Sequence, residues 1–474
     1  MAALEPPVVE QLRAGLADDA LLTDNAGTQV YRRDMAKFCE AGQPAAVVRA
    51  GSKEDVQHVM RVASEHGIGV VPQGALSGLS GGANAVDGCI VLSLTRMDRI
   101  LEIDEAEQIA VVEPGVVNAV LSRAVLDKGL FYPPDPSSWD WSTVGGNIAT
   151  NAGGLCCVKY GVTADFVRAL EVVLPNGDVL RTGRRTAKGV AGYDLTRLLV
   201  GSEGTLGVIT QATLALRAAP EAALTIAAVF DSASAALDAV GRIMAAGIGP
   251  SLLEFLDRTT LRAINGYRDM GLPGHAEALL LAQSDRGPRA AEDVAAMALI
   301  CDELGALEVA QATDAEESAM LLEARRLVGP ALDRLGVTLV DDVAVPRKRL
   351  ADLLLGIEAI AKEHDVLVAC LGHAGDGNMH PTVVFEPGND AAQRRAVQAF
   401  EAIMALGLAL GGTITGEHGV GMLKREWLGR ELGEVSLGLQ RQLKQVFDPK
   451  GILNPGKVLP TAACGPLTGL GRRL

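Results

Sequence analysis

The stretch that most restricts what this chain can become is Pro72-Gln-Gly-Ala-Leu-Ser-Gly-Leu-Ser-Gly-Gly-Ala83, which follows directly on the apolar run 68–71. It carries no charge, four glycines and two serines. A strand that ends in such a loop leaves a concave row of backbone N–H groups and hydroxyls, and that row accepts diphosphate oxygens. A flexible surface loop is the competing reading, and Leu76 and Leu79 interrupting the stretch speak against it. The spacing is neither Gly-x-Gly-x-x-Gly nor Gly-Lys-Ser/Thr, so a nicotinamide-dinucleotide fingerprint and a P-loop are both unsupported.

Two further glycine clusters lie in the same half of the chain. One is Pro133-Pro-Asp-Pro-Ser-Ser-Trp-Asp-Trp-Ser-Thr-Val-Gly-Gly-Asn-Ile-Ala-Thr-Asn-Ala-Gly-Gly154. The other, Gly201-Ser-Glu-Gly-Thr-Leu-Gly207, enters a strand at 207–216. Glycine reaches 54 of 474 residues, against a usual ~7%, and much of the excess is here. Three such loops can wrap a long cofactor in an extended pose. Around them the pattern is α/β, with strands expected at 45–50, 68–71, 89–94 and 109–113. Helices are expected at 8–17, 53–66 and 116–128, the second opened by Ser52 and Asp55 as an approximate capping box. Asn176-Gly177 predicts a tight hairpin turn within 170–182.

Beyond 218–223 the texture changes. Helices near 233–246, 289–304, 314–335, 347–363 and 390–410 alternate with strands near 225–230, 252–256, 278–283, 306–311 and 338–345. This predicts an α+β domain with helices over one antiparallel sheet. Helices at 422–432 and 436–446 and a loose tail follow.

Three of the seven histidines fall in two short stretches, Gly372-His-Ala-Gly-Asp-Gly-Asn-Met-His380 and Gly411-Gly-Thr-Ile-Thr-Gly-Glu-His-Gly419. The first reads as strand, tight loop, strand, and the reversal brings His373 and His380 side by side. Two imidazoles plus a carboxylate bind a divalent transition metal with positions open for substrate. Glu417 is the natural third ligand, and His418 is then placed to act as a general base. The alternative is that these are loop polar groups bonded to backbone.

The net charge is −15, from 43 Lys+Arg and 58 Asp+Glu, with no basic block. A nucleic-acid partner is therefore not expected, and an acidic substrate would need a local cationic hook. No apolar run reaches the ~20 residues of a membrane span. The opening Met-Ala-Ala-Leu-Glu-Pro-Pro has neither a basic region nor an apolar core, so no secretory signal is expected. Seven scattered cysteines point to a reducing cytoplasm.

Together these pieces resemble the FAD-dependent D-2-hydroxyacid dehydrogenases of the vanillyl-alcohol-oxidase superfamily, of the D-lactate dehydrogenase and glycolate oxidase flavoprotein type. The resemblance is carried by the three glycine clusters, Lys159-Tyr-Gly161, Gly192-Tyr-Asp-Leu, residues 372–381 and 416–421, Phe447-Asp-Pro-Lys-Gly and Leu453-Asn-Pro-Gly456. It implies an α+β fold: a PCMH-type FAD-binding domain of two α/β subdomains at 1–217 and an α+β cap domain at 218–410. A C-terminal segment at 411–460 would return to the flavin, and a tail would occupy 461–474.

Carried over residue by residue, the resemblance assigns FAD contacts to Pro72, Gly74, Ala75, Leu76, Ser77, Gly78, Leu79, Ser80 and Gly81. It adds Asp135, Ser138, Val144, Gly145, Gly146, Asn147, Thr150, Gly153, Glu203, Gly204, Gly207, Ile209 and Asn454. The flavin is expected to be noncovalent, since only Cys89 among histidines and cysteines falls in 72–89. His373, His380 and Glu417 match the family's metal ligands, for zinc or manganese. His418 matches its base, and Arg325 falls where an arginine grips the substrate carboxylate, with Arg326 the competing choice. The metal would hold the substrate hydroxyl, His418 would take its proton, and the Cα hydride would pass to flavin N5. Relatives acting on D-2-hydroxyglutarate hold its second carboxylate with a lysine and an asparagine. Val340 and Thr382 stand at those positions here, which favours a D-2-hydroxy monocarboxylate such as D-lactate, glycolate or a larger apolar acid. D-2-hydroxyglutarate oxidation and an alkyl-glycerone-phosphate-synthase-like transfer are the alternatives. A quinone, an electron-transfer flavoprotein, an iron–sulfur subunit or oxygen is open as acceptor. A homodimer and a peripheral membrane association through a partner also stay open.

Overall fold

The computed structural model describes residues 4–460, and the tail expected at 461–474 lies outside the described residues. The chain forms two compact units. The first takes residues up to Gly153, Val162–Ala219 and the chain from Glu417 on; the second takes Gly154–Gly161 and Pro220–Gly416.

The first unit holds two main sheets. In one, Ala46–Arg49 and Val70–Gln73 run parallel on either side of Ile90–Ser93, with Leu21–Leu22 at the edge. All four residues of the central strand are buried, as a parallel strand covered on both faces requires. Helix Lys53–His66 covers this sheet. Its Ser52 hydroxyl accepts from the Asp55 N–H at 3.1 Å, while the Asp55 carboxylate reaches back to the Gly51 N–H at 2.8 Å. Val56, Val59, Met60 and Ala63 recur at helical spacing and pack into one core with Val70, Ile90 and Leu92. Each such side chain contributes roughly 1.5–3 kcal/mol on burial.

The other main sheet is antiparallel, in the order Ile100–Asp104, Ile109–Val112, Val208–Ala215, Val167–Val173, Val179–Gly183. The sequence reading missed Ile100–Asp104, a half-exposed edge strand with no continuous apolar run. The second glycine stretch contains a helix, Val144–Thr150, whose Thr143 hydroxyl accepts from the Gly146 N–H at 3.4 Å.

Near the C-terminus one helix spans Leu428–Phe447, broken at Gly433 with φ 73°. The helix expected to start at 422 starts later for a clear reason. The Met422 and Leu423 N–H groups are spent on the Ser80 carbonyl, at 2.9 and 3.1 Å.

In the second unit the sheet runs Glu308–Gln311, Leu224–Phe230, Ala278–Ser284, Leu252–Asp257, Leu367–His373, Asn378–Phe385, Val337–Val340, all antiparallel, with Val343–Ala344 also pairing Asn378–Phe385. Every residue of Asn378–Phe385 is buried. Helix Arg258–Tyr267 was not expected from the sequence, because two threonines and a glycine dilute its helical signal. Asp257 opens it by accepting from the Thr260 N–H at 2.8 Å. The short excursion Gly154–Gly161 is tied into this unit by Lys159 and Tyr160, both bonded to Asp285. Among the described residues no helix is long and apolar enough to cross a membrane.

Candidate functional site

In the second unit the site is built on one hairpin. His373 closes strand Leu367–His373 and His380 lies in Asn378–Phe385, with Leu371 opposite His380 and His373 opposite Asn378. Side chains two residues apart on a strand share a face, so the two imidazoles stand together. Their centroids are 5.1 Å apart and the rings are nearly perpendicular. Both are buried.

Each imidazole has a fully buried carboxylate beside it. Glu254, on Leu252–Asp257, lies opposite His373 in the sheet register. Its Oε1 is 2.6 Å from His373 Nδ1, and its Oε2 accepts from Arg325 Nε at 2.8 Å. Burial alone would push this carboxyl up, but His373 and Arg325 together bring it down to about 2. Asp342 places Oδ1 3.6 Å from His380 Nδ1 and accepts from the Thr415 hydroxyl at 2.8 Å through Oδ2. The Asp342 carbonyl accepts from the Gly416 N–H.

Arg325 and Arg326, alternatives on sequence grounds, separate here. Arg325 is 16% exposed and bonded inward to Glu254, whereas Arg326 is 63% exposed and faces Glu323. Val340 and Thr382 are register partners across neighbouring strands, and the Thr382 hydroxyl donates to the His380 carbonyl at 3.3 Å.

The first unit holds a cleft whose wall joins the three glycine clusters. Pro72, Gly74, Ala75, Leu76, Ser77, Gly78, Leu79 and Ser80 line it from the first cluster; Ser138, Gly145, Gly146, Asn147, Thr150 and Gly153 line it from the second; Glu203, Gly204, Gly207 and Ile209 line it from the third. Glu417 and His418 complete the wall. Gly81, Asp135, Val144 and Asn454 stand outside the lining. Of these, Asn454 supports the wall from behind, its side-chain amide donating to the Gly82 and Glu203 carbonyls at 2.8 and 2.7 Å.

Glu203 is the anchor of this wall. Its carboxylate accepts from the Val420 N–H at 2.7 Å and the Gly421 N–H at 2.9 Å, which pins the turn carrying Glu417 and His418. Burial pushes Glu203 up to about 7, even though these backbone N–H groups pull it the other way. Gly153 must lack a side chain, since a methyl there would lie 2.2 Å from Glu417 Oε2. Leu76, in the first loop, holds φ 63°, a conformation that costs a branched side chain roughly 1–2 kcal/mol. Such strain gathers at ligand clamps.

The wall fits a large polar cofactor. Asn147 and Gln73 are buried residues of the lining, and Asn147 Nδ2 and Gln73 Oε1 have no hydrogen-bond partner among the described residues. An unpaired buried amide is costly, and a bound ligand offering donors and acceptors would relieve it. The hairpin side likewise fits a divalent transition metal, being two buried imidazoles held from behind by carboxylates.

Sequence reasoning missed Glu254 and Asp342, and in the cleft Asp34, whereas Gln73, Thr143 and Ser202 fall inside the glycine stretches already singled out. The first two had a usable signal: a carboxylate inside an apolar run, in Leu252-Leu-Glu-Phe and Leu339-Val-Asp-Asp-Val343, has to find a partner.

Residues 219–458 match the domain family described as FAD linked oxidases, C-terminal domain, and residues 44–183 match the FAD binding domain. The chain is 44% identical to glycolate oxidase subunit GlcD of Bacillus subtilis (strain 168), over 95% of this chain and 96% of that protein. It is 34% identical to the D-lactate dehydrogenase of Anaerostipes hadrus, over 96% of this chain and 97% of that protein. Among solved structures it resembles p-cresol methylhydroxylase with substrate bound, at a TM-score of 0.77 and 18% identity, covering 96% of each chain. It also resembles alkyldihydroxyacetonephosphate synthase, at a TM-score of 0.76 and 19% identity, over 95% of this chain and 85% of that one. The last two are likenesses of fold alone.

Proposed function

Because the chain belongs to the FAD-linked oxidoreductase family of the glycolate oxidase subunits and D-lactate dehydrogenases, we propose that it oxidises a D-2-hydroxy monocarboxylate to the 2-oxoacid with noncovalent FAD and a divalent metal. D-lactate, glycolate and larger apolar 2-hydroxyacids are the substrate class. The observation that carries the reading is the glycine-walled cleft with His418 in its lining.

Bound FAD supplies the two-electron acceptor, and a zinc or manganese ion supplies a Lewis acid for the substrate hydroxyl. The chain's own residues then have distinct tasks. His373 and His380 are the imidazole ligands. Glu417 would be the third. His418 accepts the hydroxyl proton. Arg325, a planar fork held by Glu254 at its Nε, grips the substrate carboxylate. Noncovalent FAD is supported by Cys89, which is buried, absent from the lining and pushed up to about 11 by burial. A thiol so protonated is a poor nucleophile.

The methyls of Val340 and the hydroxyl of Thr382 favour a monocarboxylate, since a second buried carboxylate needs donors or a cation. The transferase alternative has only a likeness of fold in its favour. A dye-reduction panel of D- and L-2-hydroxyacids tests the assignment. D-lactate or another D-monocarboxylate is expected to give the highest kcat/KM, and a clear preference for D-2-hydroxyglutarate would defeat the substrate reading.

A further inference from the structure

We propose that Glu254 is the positioning residue that couples His373 to Arg325, orienting the first so that Nε2 is its ligating nitrogen and the second as a carboxylate hook. The inference rests on the functional reading above and deepens it, because one carboxylate then organises both the metal ligand and the substrate grip.

The geometry is specific. Glu254 is fully buried in the sheet, and its two oxygens serve different partners: Oε1 meets His373 Nδ1 at 2.6 Å, and Oε2 meets Arg325 Nε at 2.8 Å. A neutral imidazole carries one N–H. A carboxylate oxygen against Nδ1 makes that nitrogen the donor and leaves Nε2 as the nitrogen that can ligate a metal. Arg325 is fixed in the same way. Once Nε is spent on Glu254, the planar guanidinium loses its rotation, and its two Nη groups are left to meet a carboxylate end-on. The cross-strand register of Glu254 with His373 sets this arrangement through the backbone. Arg325 comes from helix Glu323–Asp333, so the same carboxylate ties that helix to the sheet.

A buried ion pair can be merely structural, and whole pairs are often replaceable by packed apolar residues without loss of stability. Glu254→Gln separates the two cases. It keeps the shape, but its amide can present an oxygen to only one partner and an N–H to the other. In the flavin-loaded full-length enzyme, zinc affinity is measured by competition with a chromogenic chelator, and kcat and KM by dye reduction with D-lactate at saturating zinc. Flavin content and Tm report folding. The expected result is zinc binding weaker by ~10–100-fold, with the KM for D-lactate raised more than kcat is lowered. A folded, flavin-loaded Glu254→Gln whose zinc affinity and KM both stay within about twofold of the parent would overturn the proposal.

If the variant does not fold, the unchanged protein still decides. With ring-labelled histidine, the metal chelated and the pH raised until the ring is neutral, NMR is expected to read His373 as the Nδ1–H tautomer, and the Nε2–H tautomer would overturn the proposal. The two readings also fail differently. A parent that neither binds zinc nor oxidises any D-2-hydroxyacid sinks the functional assignment, while the tautomer measurement judges the hold of Glu254 on His373 independently.

Discussion

Replacing Glu203 by glutamine removes a buried charge from the cleft wall while keeping its shape. Glu203 is 7% exposed and accepts the Val420 and Gly421 N–H groups. Burial, outweighing those bonds, moves its carboxyl from 4.5 to about 7. The folded state therefore binds a proton that the unfolded chain has released between those two values. Stability from this group is present below the unfolded value and is lost as pH rises through the folded one. At about 1.36 kcal/mol per unit, the parent loses about 2 to 3 kcal/mol between pH ~5 and ~8 that Glu203→Gln does not. Urea unfolding of both proteins at equal flavin saturation measures the difference at each pH. The variant is expected to gain on the parent by that amount as pH rises. A flat difference, or a gain for the parent, would refute the assignment of Glu203 as a buried, desolvated anchor.

Gly74→Ala places a methyl 2.2 Å from the Thr143 hydroxyl, which caps helix Val144–Thr150. Overpacking of this kind costs ~1–3 kcal/mol, so flavin affinity is expected to fall by roughly 5- to 150-fold on that scale, read from fluorescence titration with far-UV circular dichroism unchanged. Asp257→Ala removes the acceptor of the Thr260 N–H and hydroxyl at 2.8 and 2.6 Å. It is expected to cost about 1–2 kcal/mol and to lower Tm, with Asp257→Asn losing less.

The hairpin was legible because two apolar runs and a Gly-Asp-Gly-Asn turn leave few ways to place His373 and His380, and the strand period settles their common face. The glycine clusters were legible for a related reason: close backbone approach excludes side chains, and that exclusion is written in the sequence. The remainder of the cleft wall was not. Leu94, Pro114 and Leu199 line it as ordinary core residues. Asp34 comes from a segment without regular pattern, joined to the first loop only by tertiary bonds such as the Met35 N–H to the Gly78 carbonyl at 2.9 Å. The same limit hid Glu254, whose role comes from a pairing 119 residues distant in sequence. It also moved a helix start from 422 to Leu428, because the Ser80 carbonyl competes for the N–H groups that a helix would use.

Anaerobic flavin bleaching is the most direct test of a metal-assisted oxidation by FAD. Purified protein is mixed with D-lactate before chelation, after chelation with loss of metal verified, and after zinc or manganese is returned. Bleaching is expected to disappear with the metal, to reappear with it, and to be absent in His418→Ala while FAD stays bound. Equally fast bleaching by the metal-free protein would contradict that mechanism.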